Sequence, residues 1–270
     1  MLSDSLLTAL GGVAGVLLFV VAIYIYASLL RQISTREFPP TIESTRRFGM
    51  PEASLALGLI LLLLLNVLAS LSGRSVELSS RILLENLLFT VAIVLFIVAF
   101  LAFRGFDLNS LCGFSRISFL RAASTGTVLL LAAYPLISLA ETIAQRLLGG
   151  DSSRQNIIEL FSGSRAIDQR IMIIVFAVAI APVVEEFLFR FFLYGVLKRY
   201  FGRAFGIISN SLLFGAVHGH LPSFAPLFVL GICFTIAYEW SGSILVSMTM
   251  HALFNSLSLT VLAFPELFQQ

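Results

Sequence analysis

Residues 54–72 read SLALGLILLLLLNVLASLS, a stretch without a single charged side chain. A helix that crosses the hydrocarbon core of a bilayer needs about 20 mostly apolar residues, so this stretch predicts a transmembrane helix. Outward from it, the same pattern recurs along the chain. We predict spans at 6–30, 54–72, 83–103, 120–143, 171–197, 204–220, 224–240 and 243–264. The predicted fold class is all-α, a polytopic membrane helix bundle of about eight transmembrane helices.

The composition of the whole chain agrees with this prediction. Of its 270 residues, 58% are hydrophobic and 12% are charged, whereas a soluble domain carries roughly a quarter charged residues. The net charge is +2, and no loop holds a dense basic run with interleaved aromatics, so nucleic-acid binding has little support. Cys112 and Cys233 lie in different segments and form no CxxC pair, which argues against a disulfide framework or a thiolate zinc site.

Basic residues in the loops predict an orientation, because Lys and Arg are retained on the cytoplasmic side. The loops after the first, third and fifth spans hold ten of them: Arg31, Arg36, Arg46, Arg47, Arg104, Arg116, Arg121, Lys198, Arg199 and Arg203. The loops on the other side hold six: Arg74, Arg81, Arg146, Arg154, Arg165 and Arg170. This excess favours the first set in the cytoplasm and both termini outside.

The fifth predicted span carries three charged residues, Glu185, Glu186 and Arg190. Each such charge costs roughly 2.5–3.5 kcal/mol at the centre of a membrane helix. Glu186 and Arg190 are four positions apart, in the order that favours an ion pair. Glu185 points about 100° away and is left over. A carboxylate without a partner in a medium of low dielectric can take and return protons. The alternative is an inert packing network near the membrane edge.

Two later spans each place a histidine on a polar face. Asn210, Phe214 and His218 recur every fourth residue in the sixth span, while we interpret His220 as an interfacial or loop residue. The eighth span has a polar stripe formed by Ser247, His251, Asn255 and Ser258. In lipid such a stripe must face protein or a water-filled cavity. Taken singly, each helix is also compatible with a structural histidine and with helix–helix hydrogen bonding.

Together, these residues are able to perform hydrolysis. Glu185 would act as the general base that activates water, with His218 as its partner or as a ligand of the water. His251 and Asn255 would donate hydrogen bonds to the oxyanion of a tetrahedral intermediate. The sequence has neither a G-x-S-x-G nor an H-E-x-x-H stretch. A metal alternative stays open, in which Glu185, His218 and His251 ligate one zinc ion and leave a position for water.

Three motifs in order resemble the signature of the CPBP family, the CAAX proteases and bacteriocin-processing enzymes also called Abi proteins. The motifs are Glu185-Glu186-x-x-x-Arg190, Phe214-x-x-x-His218 and His251-x-x-x-Asn255, with Tyr238-Glu239-x-x-Gly242-Ser243-Ile244 before the last. The resemblance covers roughly residues 120–260. It implies an intramembrane endopeptidase with a conical cavity open to the membrane and to one aqueous side.

The resemblance also assigns roles to the motif residues. Glu185 and His218 activate water, and His251 and Asn255 stabilise the oxyanion. Arg190 holds Glu186, and we count these two and Phe214 as supporting residues. Within one integrated membrane domain, residues 1–119 would supply N-terminal transmembrane helices and an interfacial segment, and residues 120–264 the catalytic core. The implied partners are a peptide or lipidated-protein substrate and the bilayer, in the cytoplasmic membrane of a prokaryote.

Two other classes of function stay open at this point. One is a non-catalytic membrane scaffold or bacteriocin self-immunity protein that binds a peptide in the same cavity. The other is a proton- or ion-coupled transporter that uses Glu185 and the histidines as a relay, although the sequence lacks evident inverted repeats. The natural substrate, its prenylation and the metal dependence are not decided by the motifs.

Overall fold

A computed structural model describes residues 2–35, 48–71, 80–148 and 167–264, and their regular elements are all helices. In chain order they are α1 (Leu2–Thr35), α2 (Met50–Leu71), α3 (Ser80–Phe103), α4 (Leu108–Cys112), α5 (Phe119–Leu148), α6 (167–201), α7 (Arg203–Ala216), α8 (Leu221–Ser241) and α9 (Ile244–Ala263). The all-α class is confirmed. Six predicted loop arginines lie outside the described residues: Arg36, Arg46, Arg47, Arg74, Arg154 and Arg165.

Within the described ranges, seven helices are long and apolar enough to cross a membrane, namely α1, α2, α3, α5, α6, α8 and α9. These seven confirm a multi-pass integral membrane protein. The predicted span at 204–220 instead holds the shorter helix α7, which covers 14 residues. At 1.5 Å per residue its length is about 21 Å, less than the ~30 Å of the hydrocarbon core.

The turn between α7 and α8 explains why α7 ends early. The chain leaves the helix after Ala216 and passes through Gly219, whose φ is 63°. Glycine adopts this left-handed conformation without the steric cost that other residues incur. Leu221 then begins α8, and a proline follows in its first turn, where the missing N–H is tolerated. The predicted span included this turn, residues 217–220, and so ended four residues beyond the helix.

Helix α6 is continuous but contains two π turns within otherwise α-helical spacing. Its segments are Ile167–Val175 (α), Phe176–Ile180 (π), Ala181–Glu186 (α), Phe187–Leu193 (π) and Tyr194–Phe201 (α). A π turn uses i→i+5 bonds and rotates the residues that follow relative to a regular helix. The pair Glu185 and Glu186 therefore lies between two π turns. All seven residues of the second π turn are buried, which places α6 at the centre of the bundle.

Small residues allow the helices around α6 to approach one another closely. A Cβ added at Gly126 of α5 would lie 2.8 Å from the Val246 carbonyl oxygen of α9. A Cβ at Gly231 of α8 would lie 3.2 Å from Cδ1 of Phe214 on α7. These two crossings pack α5 against α9 and α7 against α8, and α7, α8 and α9 each contact the second π turn of α6. By contrast, α1, α2 and α3 expose most of their apolar side chains, as helices that face lipid do.

Polar contacts join several helix ends at one end of the bundle. Arg104, after α3, lies 2.9 Å from Glu52 in the first turn of α2. Lys198 near the end of α6 and Arg203 at the start of α7 pair with Glu239 near the end of α8, at 2.6 and 3.1 Å. Phe48, just before α2, packs against Phe192 of α6, and Trp240 of α8 donates to Gln32 near the end of α1. The described ends of these helices therefore lie on one side, which we call the basic end. Its location in the cytoplasm stays a prediction.

Candidate active site

The carboxylate of Glu186 has two buried partners from different helices. Its Oε1 lies 2.9 Å from Nη1 of Arg190 and 3.0 Å from Nδ1 of His251. The predicted ion pair between Glu186 and Arg190 is present. Removing an ion from water costs several kcal/mol even after relaxation, so a side chain with 0% exposure such as Glu186 requires such partners. The contact also fixes the His251 ring, because a carboxylate accepts and Nδ1 must therefore donate.

Two aromatic rings enclose the guanidinium of Arg190. Its Cζ lies 4.2 Å from the ring centroid of Phe214 and 4.9 Å from that of Phe234. A cation over a ring face is stabilised by about 2 kcal/mol when it is removed from water. Phe234 also lies beside His251, with ring centroids 5.2 Å apart. Phe214 was predicted as a supporting residue, whereas Phe234 on α8 was not predicted.

The two ring nitrogens of His251 face different carboxylates. While Nδ1 contacts Glu186, Nε2 lies 3.8 Å from Oε2 of Glu185. This separation is longer than a hydrogen bond, so the two atoms face the same small volume without bonding each other. The Glu185 side chain is 28% exposed, and that of His251 is 4% exposed. Glu185 is thus the accessible member of the carboxylate pair.

His218 is half-buried and its tautomer follows from its surroundings. Its Nδ1 lies 2.7 Å from the carbonyl oxygen of Phe214, one turn earlier in the chain. A carbonyl oxygen only accepts hydrogen bonds, so Nδ1 must donate, and in the neutral ring Nε2 carries the lone pair. The ring of Phe214 contacts both histidines, with centroids 5.0 Å from His218 and 5.8 Å from His251. The two imidazoles are therefore neighbours of the same aromatic ring.

Asn255 bonds the backbone of α6. Its Nδ2 donates to the carbonyl oxygen of Ala177 over 2.7 Å, in the first π turn. A carboxamide has two N–H groups, so one is used here and one is left. The contact with Ala177 was not predicted, because the sequence pattern that predicts a helix does not distinguish a π turn from an α turn.

The remaining polar residues of the two predicted faces do not join this cluster. Asn210 approaches Thr235 on α8, at 3.5 Å. His220 contacts Ser223 over 2.7 Å at the start of α8. Two serines of the predicted stripe donate to carbonyls of their own helix, Ser247 to Ile244 and Ser258 to Phe254. Of that stripe, His251 and Asn255 contact α6, through Glu186 and the Ala177 carbonyl.

The alternative zinc set is not assembled. In the part of the chain that the structure describes, no three His, Cys, Asp or Glu side chains are grouped in a way that could hold a metal ion. The predicted combination of Glu185, His218 and His251 as metal ligands is therefore not supported.

The cysteines offer no alternative nucleophile. Cys112 and Cys233 are free and buried. Burial raises the pKa of Cys112 to about 12, and the thiolate rather than the thiol is the reactive form. The polar groups of the cluster around Glu185 are thus carboxylates, imidazoles, an amide and a guanidinium.

One family model matches the part of the chain that holds this cluster. Residues 167–257 match the family model described as "Type II CAAX prenyl endopeptidase Rce1-like", which is roughly a third of the chain. No curated protein and no solved structure matches the chain. The matched segment runs from the start of α6 into α9 and contains every residue of the cluster. It confirms the resemblance to the CPBP family.

Proposed function

We propose that this protein is an intramembrane endopeptidase whose water is activated by Glu185 and His218. The match of residues 167–257 to the type II CAAX prenyl endopeptidase (Rce1-like) family model supports a peptidase, and the membrane-spanning helices place it in the bilayer. The observation that carries the proposal is the approach of Glu185 Oε2 to His251 Nε2, 3.8 Å apart. This approach puts a base, Glu185, and a hydrogen-bond donor, His251, beside the same small volume. Hydrolysis of a peptide carbonyl requires both kinds of group next to the reacting atoms.

Glu185 is suited to the role of general base. Glu186 is neutralised by Arg190 and fully buried, whereas Glu185 keeps an accessible face. As water attacks the peptide carbonyl, its proton passes to Glu185 and then to the leaving amine. His218 supports this step through Nε2, which is left as an acceptor because Nδ1 donates to the Phe214 carbonyl. General acid–base catalysis of this kind contributes about 10²–10⁴-fold.

His251 and Asn255 are suited to stabilise the oxyanion. The Nδ1 of His251 is fixed by Glu186, so Nε2 has a defined direction toward the Glu185 side. To donate through Nε2, the ring must carry protons on both nitrogens, and the two carboxylates beside it, Glu186 and Glu185, together would offset the charges of Arg190 and of this ring. The second N–H of Asn255 would complete the pair of donors. Donors fixed in advance need little reorganisation as negative charge develops.

The proposed substrate is a membrane-associated peptide or lipidated protein of the CAAX type. The test uses the purified full-length protein and fluorogenic peptides with a CAAX end, each with and without a prenyl group. We expect cleavage by the parent protein and faster cleavage of the prenylated peptide. His218→Ala should abolish cleavage, while His220→Ala, two positions away and outside the cluster, should retain it.

Several outcomes of this assay would count against the proposal. Equal cleavage by His218→Ala and the parent would refute the role of His218. Binding of the peptides without cleavage would favour a scaffold over an enzyme. Faster cleavage of the unprenylated peptides would refute the CAAX-type substrate. A chelator arm tests the metal question separately: activity lost with chelator and restored by zinc would mean that the water is activated by a metal ion.

A further inference from the structure

The carboxamide of Asn255 donates a hydrogen bond to a main-chain carbonyl of α6 that receives no hydrogen bond from α6 itself. The bond from Asn255 Nδ2 to the Ala177 carbonyl is 2.7 Å long and reaches the first π turn of α6, Phe176–Ile180. Backbone carbonyls inside a helix normally accept from an N–H of that helix, and an unsatisfied one within a membrane costs several kcal/mol. The Ala177 carbonyl nevertheless accepts its hydrogen bond from a side chain of another helix.

Neither backbone group that could serve this carbonyl is able to do so. With α spacing the donor would be the N–H of Ala181, but that N–H bonds the carbonyl of Phe176. With π spacing the donor would be residue 182, five positions after Ala177. That residue is Pro182, which has no N–H. The Ala177 carbonyl is therefore left without its helical donor, and Asn255 supplies the hydrogen bond.

We propose that Pro182 is a positioning residue for Asn255. A carboxamide is planar, so fixing one N–H on the Ala177 carbonyl also fixes the direction of the second N–H. Pro182 is buried and stands three positions before Glu185 on the same helix. One short segment of α6 thus carries the base and, through Ala177, orients a donor for the oxyanion. The catalytic part of this inference rests on the proposed function, while the hydrogen-bond part does not.

The substitution Pro182→Ala separates this role from a merely structural one. Alanine restores the missing N–H, and proline is disfavoured inside helices, so a structural reading expects equal or better stability and unchanged catalysis. We expect a melting temperature equal to or above that of the parent, an unchanged KM and a kcat lowered at least tenfold. Pro135→Ala, inside α5, is the matched control and should leave kcat unchanged. A parental kcat in Pro182→Ala would overturn the positioning role.

A second measurement does not depend on catalysis. Asn255→Ala removes the donor from the Ala177 carbonyl and should lower the melting temperature of the parent. Combined with Pro182→Ala, the same substitution should lower it by less, because the restored N–H replaces the side chain. Equal decreases would overturn the inference even in an active peptidase. A further outcome is that the parent protein itself shows no peptidase activity while the decrease is still smaller in the Pro182→Ala background. That result would support the link between Pro182 and Asn255 and refute the proposed function alone.

Discussion

Glu185 and Glu186 are adjacent in the chain, but α6 gives them different environments. Consecutive residues of a helix point about 100° apart. Glu186 therefore faces Arg190 and His251 with its side chain fully buried. The side chain of Glu185 stays 28% exposed, although its Oε2, the atom nearest His251, is buried. Two identical carboxylates are thus separated into a structural anion and an accessible one by their positions on the helix.

This difference predicts opposite effects of the same substitution. Glu186→Gln leaves the guanidinium of Arg190 buried without a counter-ion, and losing one partner of a buried ion pair costs about 3–5 kcal/mol. We expect a clearly lower melting temperature, measured by thermal unfolding in detergent. Glu185→Gln is the matched control and should unfold within a few degrees of the parent. Equal melting temperatures for the two variants would contradict the separate roles.

Most of the candidate site was predictable at this scale, because helical spacing is visible in sequence. The i,i+4 relation of Glu186 and Arg190 predicts their pairing. The contact between His251 and Glu186 joins residues 65 positions apart, and local spacing contains no such information. Phe234 was missed for another reason. It lies in α8, a helix that is apolar on most sides, so nothing in the sequence distinguishes it from other buried residues.

At the scale of the helices, hydropathy predicts the ends of transmembrane helices better than it predicts the hydrogen-bond spacing within them. The predicted spans at 54–72 and 243–264 agree with α2 and α9 to within a few residues. The π turns of α6 could not be predicted, because they change the hydrogen-bond spacing without changing composition. The length of α7 was overestimated because the predicted span included the turn that contains Gly219, four residues beyond the end of the helix.

The crossing of α5 and α9 gives a prediction at this scale. Because a Cβ at Gly126 would already lie 2.8 Å from the Val246 carbonyl oxygen, Gly126→Val must push α9 away from α5. Overpacking of this kind costs about 1–3 kcal/mol, and we expect a lower melting temperature and reduced monodispersity on gel filtration. Gly58→Val in α2, where no atom lies within 4 Å, should behave like the parent. Equal behaviour of both variants would contradict the close crossing.

At the scale of the whole molecule, the contacts of the basic end agree with the alternation of the loops. Arg104, Lys198 and Arg203 all lie there, joined to the ends of α2 and α8. α7 is too short to span a bilayer by itself, yet it still reverses the chain direction between α6 and α8. The family match covers 167–257, so the division of the domain into residues 1–119 and 120–264 stays a prediction.

The orientation of the basic end is testable with introduced cysteines. Arg199 is an exposed residue near the basic end, and Leu147 is 79% exposed near the opposite end of α5. Because basic loops are retained in the cytoplasm, a membrane-impermeant maleimide applied to intact cells should label Leu147→Cys and not Arg199→Cys. The native cysteines are buried, so background labelling should be low. The reverse pattern would contradict the predicted orientation.

The proposed mechanism requires the Glu185 carboxylate to take the proton of the attacking water. Its most direct test is the single-turnover rate of peptide cleavage by Glu185→Gln in purified, folded protein. The amide keeps the size of the side chain but is not a base, so we expect a rate at least 10²-fold below the parent, with unchanged peptide affinity. A rate within tenfold of the parent, at an equal melting temperature, would contradict the account.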